Sequence, residues 1–477
     1  AAGLSGRVRR RHAADAAVHS AVASLTRPLI LESGPPASER FLMPTSPPSR
    51  RAFLHATGVA TTAVAAPYVI TSSALGNANT PPASDRIVMG GIGIGNMGRG
   101  DQGAFLGRND VQYVAVCDVR RQFREEAKQR VDAKYGNGDC AASVDFRELL
   151  DRADIDAVHI ATPDQWHSIM TIAACRAGKD VYLQKPETLT LREGPLMVAA
   201  ARRYGRVVSG GSQRVLGDYR SIVDPCWAGR VGTLTEADIA IGPPPMACYL
   251  PALPTPPDID WDLWLGPAPW EPYNPGRCDG NFGTRGNSWR SYIDYSGGSL
   301  TDWGAHNFGG LIFALNLRES QPEQITYHPA ADDGQTPAYV SLTYPKSAEH
   351  PRGIEIFCNR PAHLRPRPSV SHERGLHIVG DGTPRPGRPV PGYAPGETSI
   401  YGDFIACVKT RERPFRDIEQ GVNTMTAPHM VALALRLERS LTWDRAAQRF
   451  YEPTAQRRDD EQANRLLDRA RREPWIL

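Results

Sequence analysis

Between Arg86 and Arg214, short apolar runs alternate with stretches in which apolar residues recur every three or four positions. The runs "RIVMGGIG", "VQYVAVCD", "AVHIATP", "DVYLQKP" and "VVSGGSQR" predict strands. The periodic stretches from Met97, over Gln122 to Lys134, and in "HSIMTIAACRAG" and "PLMVAAARRYG" predict helices. Such alternation predicts repeated βαβ units around a parallel sheet. Beyond about Val231 come the strand candidates "LTEADIAIG", "ITYHPA", "AYVSLTYP", "GIEIFCN" and "LHIVGDG", with a helix predicted through "WGAHNFGGLIFALN" after the first of them; "GDGTPRPGRPVPGYAPGE" (380–397) reads as a long loop, and helices are predicted over Tyr401 to Arg411 and Ala427 to Arg439. No internal repeat is visible.

The first predicted strand runs into Gly93-Ile94-Gly95-Asn96-Met97-Gly98, a G-x-G-x-x-G turn opening a helix. Asp118 closes the second strand twenty residues after Gly98, where a carboxylate can bind adenosine ribose hydroxyls. Together these predict a dinucleotide site, with the glycines giving a tight turn, close backbone approach to the pyrophosphate and helix packing. Asp118 favours NAD by repelling a 2′-phosphate. The adjacent Arg120 and Arg121 keep NADP open.

Ahead of the periodic region, "SRRAFLHATGVATTAVAAPYVI" (49–70) places two arginines before a weakly apolar, small-residue run, the charge-then-apolar order of an export signal. Ser-Arg-Arg-Ala-Phe-Leu resembles a twin-arginine signal. The expectation is a periplasmic or exported protein that meets the twin-arginine machinery, with an uncleaved membrane anchor as the alternative. Residues 1–42, Ala- and Arg-rich and without apolar period, are expected to be a disordered extension, with translation starting at Met43. Residues 43–76 form the signal segment and 77–85 a linker, ahead of a Rossmann NAD(P)-binding domain (86–230) and a substrate and oligomerisation domain (231–477). To Leu54 there are eight arginines against three acids, so of the chain's net +3 the remainder carries about −2 and has no nucleic-acid footprint. The eight cysteines are scattered, several within apolar runs. They read as buried thiols, with no spacing for a metal site.

"IATPDQWH", "VYLQKPETLT", "DIDWDLWLGPAPW", "WRSYIDYSGGSLTDWGAHNFGG" and the tail "ANRLLDRARREPW" resemble the glucose-fructose oxidoreductase / inositol dehydrogenase / rhizopine catabolism family (Gfo/Idh/MocA), from Arg86 to the C-terminus. The resemblance implies an α/β protein, a Rossmann domain plus a C-terminal α+β domain whose open, mostly antiparallel sheet covers the substrate and builds a homo-oligomer. It also implies a tightly held nicotinamide cofactor and a sugar, polyol or related hydroxyl substrate. The family's Glu-Lys-Pro stands here as Gln184-Lys185-Pro186, and its Asp-x-x-x-His as Asp302 and His306. It places Thr162, Pro163, His167 and Lys185 at the cofactor, the lysine touching substrate as well, with Trp166 close to nicotinamide or substrate. Some relatives of this kind are NAD-dependent glycosidases, so that chemistry stays open. An idle binding protein, suggested by Gln184, does too.

Lys185 ends a predicted parallel strand, the edge where α/β sheets place ligands, and an ammonium there can stabilise charge developing on a substrate oxygen. Asp302 and His306 are one helical turn apart. An imidazole is a suitable acceptor for the hydroxyl proton, with Asp302 expected to orient it. The same spacing also fits an N-capping Asp beside a structural His. Gln213, Arg214, Trp289, Arg290, Tyr292 and Asp294 are candidate substrate groups, because flat apolar faces with polar handles suit a sugar ring.

Overall fold

The five apolar runs and one further short segment become the strands of one parallel sheet: β1 (Ile87–Ile92), β2 (Val111–Cys117), β3 (Ala141–Ser143), β4 (Ala157–Ile160), β5 (Asp180–Leu183) and β6 (Val208–Gly210). They pair in the order β3-β2-β1-β4-β5-β6, so the chain reverses direction across the sheet between β1 and β4. Being covered on both faces, β4 and β5 are buried at every position, as continuous apolar runs require. On one face the helices Phe146–Leu150, His167–Arg176 and Glu193–Arg203 pack through Phe146, Ile169 and Met197. On the other, Asn96–Leu106 and Arg121–Tyr135 pack with the late helix Ile400–Thr410 through Phe105, Val131 and Phe404.

The second sheet has eight strands in the order β11-β12-β7-β10-β9-β8-β13-β14. Its members are β7 (Leu234–Ile239), β8 (Gln324–His328), β9 (Tyr339–Tyr344), β10 (Ile354–Cys358), β11 (Val370–His372), β12 (Leu376–Gly380), β13 (Leu441–Asp444) and β14 (Arg449–Tyr451). Only β7 and β10 run parallel; the other pairings are antiparallel. Leu342, Ile325, Ile356 and Ile378 turn one face onto the helices Gly304–Ala314 and Ile418–Leu437.

The structure, a computed structural model, describes residues 81–280, 288–453 and 457–477. The extension (1–42), the signal segment (43–76) and the first part of the linker (77–85) expected from the sequence lie outside the described residues. The exported, periplasmic or membrane-anchored placement drawn from Ser49 to Ile70 is corrected. Among the described residues no helix is long and apolar enough to cross a membrane. The longest, Ile418–Leu437, buries Asn423, Thr424 and His429 within its span.

Two local expectations shift. The helix predicted from Ala427 starts at Ile418, where the Asp417 carboxylate caps the Glu419 N–H, and it runs through Pro428. Packing on two cores outweighs the lost backbone bond. The strands β3, β11, β13 and β14 escape sequence reading because three or four residues are too few to show alternation. All eight cysteines are unpaired, and six are buried.

Candidate active site

The C-terminal ends of β1, β2, β4, β5 and β6 converge on a cleft of about 460 Å³, at the reversal point where open α/β sheets bind ligands. From β1 comes the glycine turn. Gly93 has φ +79°, which an L side chain rarely adopts, and a Cβ on Gly98 would lie 1.9 Å from the Gly93 carbonyl oxygen. Gly95 differs: its missing Cβ would meet nothing closer than Phe123 at 3.9 Å. It stands at the start of the helix Asn96–Leu106, whose N-cap makes no side-chain hydrogen bond. Open space beside unpaired first-turn N–H groups fits a diphosphate.

Asp118, at the end of β2, accepts the N–H of Ile94 (2.7 Å) and of Arg120 (2.8 Å). Burial raises its carboxyl, and those two N–H groups act against the rise. Arg120 is paired with Asp279, and both line the cleft. The residues present therefore fit a dinucleotide: Gly93, Gly95, Asn96, Met97 and Asp118 line the cleft with Thr162 and Pro163 from β4, while Gly98 packs behind the turn.

At the other end stand Lys185, Asp302 and His306. Lys185 Nζ donates to Asp302 Oδ1 (2.8 Å), and Arg290 Nε lies 3.4 Å from the same oxygen. Asp302 thus pairs with the lysine and the arginine. The expected orientation of His306 by Asp302 is replaced by another partner, Ser212. The chain breaks its helix at Trp303, between the short helix Ser299–Asp302 and Gly304–Ala314, and the buried carboxylate turns to the nearest cations. Ser212 Oγ donates to the Ala305 carbonyl (3.4 Å) and lies 3.0 Å from His306 Nδ1. This network assigns the proton to Nδ1 and leaves Nε2 as the ring's acceptor. Burial first, then the charges of Lys185, Arg214, Arg416 and Arg374, hold His306 well below the usual imidazole range.

Gln184 donates through Nε2 to both oxygens of Asp101 (3.0 Å each) and accepts the Lys185 N–H at Oε1 (3.3 Å). Tyr401 Oη also donates to Asp101 (2.9 Å). Burial pushes Asp101 up to about 6, against the hydrogen bonds from Tyr401 and Gln184. The glycine-turn helix is thereby tied to the backbone of the candidate lysine.

Gln213, Arg214, Trp289 and Arg290 line the cleft. Trp166 does so at its edge, but its indole N–H donates to Leu263 O (3.1 Å) and its ring packs on Trp475 (4.7 Å). His167, Tyr292 and Asp294 are not part of the lining. The His167 ring is turned inward between the carbonyls of Pro186 (2.7 Å) and Thr162 (3.0 Å), a bracing position behind the β4 and β5 ends. The sequence reading passed over Asp101, Asp164, Ser212 and Trp303. A charged residue in the inward period of "GRGDQGAF" was the one available signal.

Asp164 follows β4, its Oδ2 accepting from Ser296 Oγ (2.8 Å) and its Oδ1 without a partner among the described residues. Burial, then repulsion from Asp302, pushes its carboxyl from 3.8 up to about 7. Folding thus disfavours the ionised form, so stability is lost as pH rises from the unfolded value through about 7. Asp164→Asn, which does not titrate, should gain on wild type by on the order of 2–4 kcal/mol between about pH 4.5 and about pH 8. Thermal melts at both pH values read this. An equal melting difference at each would refute the burial argument.

A family model described as "Oxidoreductase family, NAD-binding Rossmann fold" matches residues 87–212, and one described as "Oxidoreductase family, C-terminal alpha/beta domain" matches 247–346 and 391–477. Among curated proteins, the chain is 33% identical over 129 residues to a glycosyl hydrolase family 109 protein of Shewanella pealeana, covering 26% of this chain and 27% of that protein. To the glycosyl hydrolase family 109 protein of Saccharopolyspora erythraea it is 36% identical over 118 residues, 23% and 25% of the two chains. The match spans about a quarter of the length of these relatives. Among solved structures it is similar to the WlbA dehydrogenase from Chromobacterium violaceum in complex with NADH and UDP-GlcNAcA, with TM-score 0.50 and 15% identity over 77% of this chain and 98% of that chain. At that identity the likeness is one of fold.

Proposed function

The chain belongs to the Gfo/Idh/MocA oxidoreductase family, and from that premise we propose that it oxidises a hydroxyl-bearing carbon of a sugar, polyol or related compound with NAD(P). One observation carries the reading: Lys185 and His306 line the same cleft as the glycine turn, one fixed by Asp302, the other held through Nδ1 3.0 Å from Ser212 Oγ. When bound, the nicotinamide supplies the acceptor for the hydride leaving the carbinol carbon. Lys185 hydrogen-bonds the substrate oxygen and stabilises the negative charge developing there. His306 Nε2 accepts the hydroxyl proton, and Ser212 keeps the ring in the tautomer that can do so. Trp289 and Trp303 offer flat walls, and Gln213 a polar handle.

NAD is favoured over NADP, because Asp118 would repel a 2′-phosphate and Arg120 is already engaged by Asp279. Retention of the dinucleotide through purification is supported by a clasp across the end of β2. Besides the Arg120–Asp279 pair, the Arg121 N–H donates to Asp258 O (2.8 Å) and the Asp260 N–H to Val119 O (3.0 Å). A second copy of the chain is the partner proposed for the outer face of the second sheet, where Thr326, Tyr339, Thr343 and Glu355 are only half-buried.

A second reading, glycoside cleavage through transient oxidation, takes its support from the family 109 relatives. Purified protein incubated with sugars, polyols and aryl glycosides decides between them. Growth of reduced-nicotinamide absorbance is expected with a free hydroxyl substrate. Aglycone release with no net reduction would favour cleavage instead, and neither signal would leave an idle binding protein. In the same preparation, denaturation should release nicotinamide and light scattering should read more than one chain.

A further inference from the structure

Lys185, Arg290 and Arg214 line the cleft with His306, and Arg374 packs on the Trp303 ring beside them; the carboxylates among these cations are Asp302 and Asp218. Asp302 is shared by Lys185 and Arg290. Asp218 pairs with Arg214 at 2.5 Å and lies 3.8 Å from Arg374. Asp279 is taken by Arg120 at the dinucleotide end. Asp164, the further acid near Asp302, is pushed up to about 7, so it carries only part of a negative charge at neutral pH. Positive charge thus exceeds negative charge around His306, an arrangement disfavoured unless something pairs with the excess.

The two guanidinium groups with spare capacity flank the same indole. Arg214 lies 5.5 Å and Arg374 4.8 Å from the Trp303 ring centroid, and Trp303 and Arg214 line the cleft beside His306. Arg374 makes no ion pair shorter than 3.8 Å among the described residues, and neither its Nε nor that of Arg214 has a hydrogen-bond partner there. About a third of each side chain is exposed. A guanidinium held against an aromatic face is pre-organised, and its planar fork matches the paired oxygens of a carboxylate or phosphate.

We propose that the substrate carries an anionic group, a carboxylate or a phosphate, which docks on Arg214 and Arg374 beside Trp303 while the reacting hydroxyl meets Lys185 and His306. This deepens the dehydrogenase reading and rests on it. It also gives the anion a second effect. Arg214 and Arg374 are among the charges that hold His306 low, so neutralising them raises the basicity of the imidazole. The acid limb of the rate profile should therefore lie higher with an anionic substrate than with its neutral parent.

The test measures binding by calorimetry on the dinucleotide-loaded protein, with matched series of hexoses, hexuronates and hexose 6-phosphates at low and high salt. At least one anionic series is expected to bind about tenfold or more tightly than its neutral parents, with the margin shrinking in salt. Comparing the hexuronate and phosphate arms identifies which anion is used. Arg374→Gln and Arg214→Gln should each cut that margin severalfold, and Arg374→Lys, which keeps charge without the fork, should fall between. Neutral sugars bound as tightly as their anionic counterparts, or a margin unchanged in both glutamine variants, would overturn the proposal. Reduced-nicotinamide absorbance is followed in parallel. Turnover of neutral sugars without anion preference sinks this inference and spares the dehydrogenase, whereas anion-selective binding without any reduction spares the docking site and sinks the dehydrogenase.

Discussion

Replacing Lys185 or His306 by alanine is expected to lower kcat by roughly a hundredfold or more, the usual scale for a positioned acid, base or charge stabiliser, while the dinucleotide still binds. Neither side chain belongs to the glycine turn or pairs with Asp118, so cofactor affinity should move far less than turnover. Their pH signatures separate them. A base must be neutral to work, and His306 is held well below the ordinary 6.5. The wild-type acid limb in kcat/KM should accordingly fall below about pH 6.5 and vanish in His306→Ala. Asp302→Asn should also be damaging, since it frees the Lys185 ammonium from its 2.8 Å partner. Loss of cofactor together with activity would mean that these groups serve the fold.

The second large effect divides two neighbouring glycines. Gly95→Val places its Cβ where, beyond the chain neighbours, the nearest atom is Phe123 at 3.9 Å. The fold should tolerate it, and the diphosphate should not. Dinucleotide affinity is expected to drop by about a hundredfold, close to 2.7 kcal/mol, at an unchanged melting temperature. Gly98→Ala should do the reverse, because its Cβ would sit 1.9 Å from the Gly93 carbonyl oxygen and the turn must open. A loss of stability of about 3 kcal/mol or more is the expected scale for such a clash. Calorimetric titration and thermal melts on both variants check the contrast; a Gly95→Val protein that binds dinucleotide normally would place the diphosphate elsewhere.

Much of this architecture was legible along the chain. Alternating strand and helix periods located β1, β2, β4, β5 and β6, and the glycine turn with Asp118 pointed to the β1 and β2 ends that line the cleft, because each rests on spacings of a few residues. Lys185 was placed by the same logic, at the end of β5. The second sheet was legible in its longer strands only. The export reading rested on residues 49–70, outside the described residues, and the described helices offer no membrane span.

What the sequence by itself determined was the local backbone and the side each residue buries, since periods of two and 3.6 are written in neighbouring positions. Tertiary structure alone decided which polar groups meet. Asp302 is four residues from His306, yet its carboxylate serves Lys185, 117 residues away. His306 finds Ser212 across 94 residues, and Gln184 finds Asp101 across 83. No spacing encodes these pairs. A buried polar group takes whatever partner the strand order and helix packing bring within hydrogen-bond reach, because leaving it unpaired in a poorly solvated interior costs more than any local preference.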